Sequence, residues 1–251
     1  MSNNNIMSIK KSPFSALNGK LIIPPLNLWI IVPVIMTLFL FSSCPTTDDN
    51  HKVNVVMIGD SITYQADWNS LLKNVKVANL GISGDTTAGV LNRLGIVYIL
   101  EPKIMFIMIG INDFRTDKTV EDIMISYREI ATKVKDHNIK LVIQSVLYLG
   151  RNYYYIEKYL KTNYSIDSIW KYKSDWLEIN RNIKIINERL EEMALEFDAE
   201  FINLNNELSI NGVLSEKYED EYGLHLNKLG CKKWAEIIKP IINKNLTNPT
   251  R

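Results

Sequence analysis

Five short apolar runs alternate with stretches of helical periodicity, and this alternation restricts the chain more than any other feature of its 251 residues. Val53 to Ile58 is β-branched and ends at Gly59. Val75 to Leu80 ends at Gly81, and Lys103 to Ile109 ends at Gly110. Ile139 to Val146 and Glu200 to Leu204 complete the set. Runs of this length and composition read as buried strands. Between them, Val120, Ile123, Tyr127, Ile130 and Val134 recur every three or four residues, as do Ile179, Ile183, Ile186, Leu190, Met193 and Phe197. Each series lays one apolar stripe along a helix. Thr86 to Leu100 reads as a further helix, and the last runs from about Lys228 to Ile242. Strands apolar on both faces, separated by helices, imply an α/β domain with a parallel sheet covered on both sides. Ligands of such sheets bind beyond the carboxyl ends of the strands, so chemistry is sought there.

Tyr148 to Trp176 interrupts the rhythm with a stretch rich in Tyr, Lys and Asn. It is too long for an ordinary connection. Its aromatic residues either line a substrate cleft or pack the insertion onto the domain. No internal repeat or low-complexity tract is present.

The amino-terminal 43 residues read as a targeting segment rather than as part of the fold. Leu28 to Phe41 is almost wholly apolar, with lysines before it and Ser42-Ser43-Cys44 after it. About 14 residues is short for a spanning helix, which needs ~20, and suits the apolar region of a signal peptide. Small residues before a cysteine resemble a bacterial lipobox, which implies cleavage before Cys44 and lipidation of its sulfur. Residues 44–52 then form a polar tether, and 53–251 the folded domain. An uncleaved anchor and a plain secretory signal are the alternatives. All three place the domain outside the cytoplasm, and the lipidated form at a membrane. Net charge is +1 overall, and residues 1–43 contribute three lysines and no acid. The remainder carries 26 basic against 28 acidic residues. A domain so balanced is not expected to bind nucleic acid.

Polar motifs follow the first three strands. Gly59-Asp60-Ser61-Ile62-Thr63 places a serine at a strand end, where its hydroxyl can face the mouth of the sheet. On its own this is equally a turn and a helix N-cap. The G-x-S-x-G elbow of α/β-hydrolases is absent. Asn79-Leu80-Gly81-Ile82-Ser83-Gly84-Asp85-Thr86-Thr87 supplies glycines that free backbone N–H groups, and Gly110-Ile111-Asn112-Asp113 an amide able to donate to an oxyanion. Histidine is scarce: His51 lies in the tether, His137 at a helix end, and His225 in a loop before the final helix. His225 is therefore the natural base for chemistry at Ser61. Cys231 reads as a small core residue.

The order of these blocks over roughly Val53 to Ile242 resembles the SGNH (GDSL-like) hydrolase family, and NLGISGDTTAGVLNRL and IMFIMIGINDF are similar to its acetylhydrolase and esterase branch. The resemblance implies a flavodoxin-like three-layer α/β/α sandwich without metal or cofactor. It also implies Ser61 as nucleophile, His225 as base, and an oxyanion hole from the Ser61 and Gly84 N–H groups and the Asn112 side chain. One departure stands out. The family's D-x-x-H puts Asp three residues before the histidine, and here that residue is Tyr222. A bulge could bring Glu221 into the role, a carbonyl or Tyr222 could orient a Ser–His dyad, or the enzyme could be weakened. Glu221 is the expected third member. The expected substrate is a small ester or acetylated carbohydrate. Lipid or thioester hydrolysis, a non-catalytic glycan-binding lipoprotein and a structural surface antigen are the alternatives.

Overall fold

In the computed structural model, residues 53–116, 118–153 and 176–247 are described. The expected signal segment, the tether with Cys44 and His51, and most of the Tyr148–Trp176 insertion lie outside them.

Strand β1 (Val55–Gly59) is buried along its whole length and pairs on both sides, as its apolar sequence requires. It is followed by two short helices, α1 (Ser61–Gln65) and α2 (Trp68–Leu71), and then by β2 (Val77–Gly81). Helices α3 (Thr87–Asn92) and α4 (Leu94–Leu100) lead to β3 (Ile104–Met108). A 3-10 turn (Asp113–Thr116) and α5 (Val120–Lys135) lead to β4 (Lys140–Gln144). After the insertion come α6 (Trp176–Glu196), β5 (Glu200–Ile202), α7 (Asn205–Leu208), the small hairpin of β6 (Ser209–Ile210) and β7 (Val213–Leu214), and α8 (Lys228–Thr247). The five main strands are parallel in the order β2-β1-β3-β4-β5. This is the doubly wound arrangement in which the chain reverses direction next to β1.

Side chains of a strand alternate between faces. Val56, Ile58, Met105 and Ile107 join one core with the apolar sides of α3, α4, α5 and α6. Val55, Met57, Ile104 and Phe106 join the other with Ile62, Trp68, Trp234 and Ile238 from α1, α2 and α8. The fold is thus the expected α/β/α sandwich. Each fully buried aliphatic or aromatic side chain contributes roughly 1.5–3 kcal/mol. Among the described residues no helix is long and apolar enough to cross a membrane.

The stretch expected as one helix over Thr86 to Leu100 is broken at Arg93, whose backbone leaves the helix (φ −112°, ψ 14°). Its guanidinium is drawn instead to Asp85 (2.7 Å) and the Gly59 carbonyl (3.1 Å). The β6–β7 hairpin was not expected. It turns on Asn211 and Gly212, both with positive φ, the pairing that favours a two-residue hairpin loop. Beyond β4 the buried backbone has no strand partner for part of its length. Asn187 on α6 serves both the N–H and the carbonyl of Val146, and Asn180, seven residues earlier on the same face, does the same for Leu149. Two buried amides thus fix the segment that leads to Gly150.

Candidate active site

Three polar turns leave the carboxyl ends of the adjacent strands β2, β1 and β3, so the sheet itself brings them together. At the end of β1, Asp60 caps α1, its Oδ1 accepting from the Ile62 N–H (2.9 Å), and Ser61 begins the helix. The helix is anchored from behind by Trp68, whose indole N–H donates to the Thr63 carbonyl (3.0 Å) and whose ring meets Trp234 edge-on at 4.6 Å.

The turn after β2 holds Gly84 at φ +77° with open space where a Cβ would lie. Glycine is required there for its backbone angle, not for room. The turn after β3 buries Asn112 (6% exposed), whose Nδ2 donates to the Asp85 carbonyl (3.0 Å). Only one of its amide hydrogens is thereby used. Asp113 accepts from the Thr87 hydroxyl (2.6 Å) and backbone N–H (3.0 Å). Burial pushes its carboxyl above the ordinary range despite those bonds. Asp85 meanwhile pairs with Arg93, which reaches the Gly59 carbonyl at the end of β1. Neither Asp113 nor Arg93 was singled out from sequence for a role, and each cross-links two of the three turns. Asp60 is 1% exposed, and burial pushes it up to about 7, with Asp85 and Asp113 adding to the effect while the Ile62 N–H and His225 oppose it.

The fourth element is the loop before α8. Glu219 bridges Leu226 in antiparallel fashion, and the Asp220 N–H donates to the His225 carbonyl (2.9 Å). Residues 220 and 225 therefore face each other across the loop. Asp220 Oδ1 accepts from the N–H groups of Tyr222 (3.1 Å), Leu224 (3.2 Å) and His225 (3.3 Å). Its Oδ2 lies 3.2 Å from His225 Nδ1, and His225 Nε2 lies 2.9 Å from Ser61 Oγ. A carboxylate can only accept, so Nδ1 carries the proton and Nε2 accepts a hydrogen bond from the Ser61 hydroxyl. Burial pushes Asp220 up, but the hydrogen bonds from the imidazole and from the His225 and Leu224 N–H groups outweigh it and hold the carboxyl below its usual range.

The structure therefore brings Ser61 and His225 together but corrects the third position. Glu221 is exposed and interacts with the hydroxyl of Tyr222, itself 54% exposed. The pairing of 219 with 226 decides this: it sets 220 opposite 225 and leaves 221 in the loop between them. The same pairing sets a carboxylate, rather than a backbone carbonyl or Tyr222, against His225 Nδ1. His137 lies elsewhere, stacked on Tyr98. Cys231 is half-buried against the core beneath α8. Among the described residues, no group of three or more His, Cys, Asp or Glu is placed to hold a metal.

Residues 57–233 match the GDSL-like lipase/acylhydrolase family. No curated protein matches the chain. Solved structures similar to it include a GDSL-like lipase from Bacteroides thetaiotaomicron, 21% identical over 84% of this chain and 97% of that one, with a TM-score of 0.63. A putative platelet activating factor from Streptococcus pneumonia is 22% identical over 85% and 94%, with a TM-score of 0.60. A Geobacillus acetyl-xylooligosaccharide esterase is 18% identical over 76% and 95%, with a TM-score of 0.56. At these identities the likeness speaks for the fold.

Proposed function

The chain belongs to the GDSL-like lipase/acylhydrolase family, and from that premise we propose that it is an extracytoplasmic serine esterase that removes acetyl or other short acyl groups from a carbohydrate or small ester. An ester-hydrolysing activity goes with the family. The observation that carries the serine mechanism is the chain of contacts from Ser61 through His225 to Asp220.

In this reading Ser61 Oγ attacks the ester carbonyl while His225 Nε2 takes its proton. Asp220 holds Nδ1–H in place and balances the imidazolium charge. The oxyanion that forms is met by the N–H groups of Ser61 and Gly84 and by Asn112 Nδ2. Collapse of the tetrahedral species breaks the carbon–oxygen bond, and the alcohol leaves with the proton from Nε2. Water then attacks the acyl-serine with His225 as base, releasing the carboxylic acid and restoring Ser61.

The acetyl assignment is supported by the acetylhydrolase-like sequence of the second and third turns and, by analogy alone, by the fold shared with the acetyl-xylooligosaccharide esterase. The location is supported by the apolar Leu28–Phe41 run and Cys44. The test is hydrolysis of p-nitrophenyl acetate, butyrate and octanoate and of acetylated xylo-oligosaccharides, with Ser61→Ala as control. Preference for acetate and release from the oligosaccharide support the reading. Preference for octanoate would move the assignment to lipid or thioester substrates. Labelling of Cys44 by a fatty-acid analogue, lost in Cys44→Ala, tests the anchor.

A further inference from the structure

Glu219 directly precedes the acid that meets His225, yet nothing in the proposed reaction uses it. It is 4% exposed, and its carboxyl oxygens have no side-chain hydrogen-bond partner among the described residues, with only the Asn152 backbone N–H bearing on them as a donor. Its surroundings are shaped to it. A Cβ on Gly150 would overlap Oε2, and one on Gly223 would overlap the Tyr153 nitrogen and stand 3.0 Å from Oε2. The two glycine strands that enclose it are joined by the Gly150 N–H to the Gly223 carbonyl (2.8 Å), and the Asn152 amide reaches the Asp220 carbonyl (3.5 Å). One side of this seam is the turn that enters the insertion, fixed from behind by Asn180 and Asn187. The other side is the loop that carries Asp220 and His225.

We propose that Glu219 is a positioning residue, held as the uncharged acid, which fills the seam between the Gly150–Tyr153 turn and the Asp220–His225 loop and thereby fixes the carboxylate that orients His225. A charged carboxylate buried without a paired cation is costly, whereas the neutral acid is far less so. The charges that face it agree. Burial is the main influence raising its carboxyl, with Glu216 and Asp220 adding to it; the Asn152 N–H and Arg151 oppose it, and Arg151 is itself paired with Glu216 at 3.8 Å. Raising the pH ionises Glu219, sets a second negative charge beside Asp220 and draws water into the seam. The loop then loses its support.

This inference rests on His225 acting as the base, so its test has one arm that needs no substrate. In the full chain, Glu219→Gln copies the neutral acid and Glu219→Ala empties the seam. Wild type is expected to lose kcat/KM as pH rises through the ionisation of Glu219, the limb that this residue sets. Glu219→Gln is expected to retain activity at neutral pH and to lack that limb. Glu219→Ala is expected to lose between about tenfold and 100-fold in kcat at every pH, with KM little changed. In the second arm, melting temperatures are read from pH 4 to 9. A carboxyl raised above its usual 4.5 in the folded state stabilises fully below that value and loses the contribution as pH rises through the raised one. The advantage of Glu219→Gln over wild type should therefore grow with pH. The proposal is overturned if Glu219→Gln collapses at neutral pH, keeps that limb, or shows a pH-independent difference in melting. Should wild type hydrolyse no ester, the enzymatic reading fails, and the melting series still decides whether Glu219 is the neutral residue of the seam.

Discussion

Replacing Asp220 by Asn isolates the third position of the site with little other disturbance. Three of the four contacts of the Asp220 carboxyl are backbone N–H groups donating to Oδ1. An amide oxygen accepts these equally well, so the loop keeps its shape. The fourth contact, Oδ2 to His225 Nδ1 at 3.2 Å, would become one donor against another. The ring escapes by moving its proton to Nε2, where it can no longer accept from Ser61. Loss of the acidic member in this way costs about 10⁴-fold in kcat in serine hydrolases, or about 5 kcal/mol of transition-state stabilisation. KM should change little, because Asp220 contacts the imidazole and not the ester. Glu221→Gln is the matched control: its side chain is exposed and directed to Tyr222, so activity within about twofold of wild type is expected. Steady-state hydrolysis of p-nitrophenyl acetate reads both, with circular dichroism confirming that the folds are intact. Asp220→Asn active within tenfold, or Glu221→Gln inactive, would refute the assignment.

Three other outcomes are expected. Asn112→Ala should lower kcat by about 10²–10³-fold with KM nearly constant, because in the proposed mechanism its amide meets charge that develops only in the transition state; an effect confined to KM would contradict this. Asp60, pushed up to about 7 in the folded protein, stabilises fully below its ordinary 3.8 and loses that contribution as pH rises through about 7. Melting curves should show Asp60→Asn gaining on wild type between pH 4 and 8, and a constant offset would contradict the burial argument. Trp234→Ala should cost about 3–5 kcal/mol in urea unfolding, because it empties a site that is 0% exposed and strands the Gln144 carbonyl that its indole serves.

The parts of the fold that were legible in the sequence are those set by local period. β1 and β3 are apolar on both faces because both are covered, and the turns that follow them carry the polar motifs for the reason that governs every such sheet. Ser61 and His225 meet although 164 residues separate them, and their pairing was legible through the order of the blocks. The acid was not. Asp220 and Glu221 are equally acidic and adjacent, and the choice between them depends on the bridge from Glu219 to Leu226. The contact of Asp113 with Thr87 is likewise non-local, as is the pull of Asp85 and Gly59 on Arg93 that splits the helix after β2. The Asn211-Gly212 turn, by contrast, was a readable hairpin signal, set between strands of only two residues each.

The most direct test of the central claim is covalent labelling of the full chain with a serine-reactive ethyl fluorophosphonate, followed by peptide mass spectrometry. Ser61 is expected to carry the adduct stoichiometrically, with labelling abolished in Ser61→Ala and slowed strongly in His225→Ala. An unlabelled Ser61 in folded protein, or an adduct retained in Ser61→Ala, would contradict a nucleophile activated by His225 and Asp220.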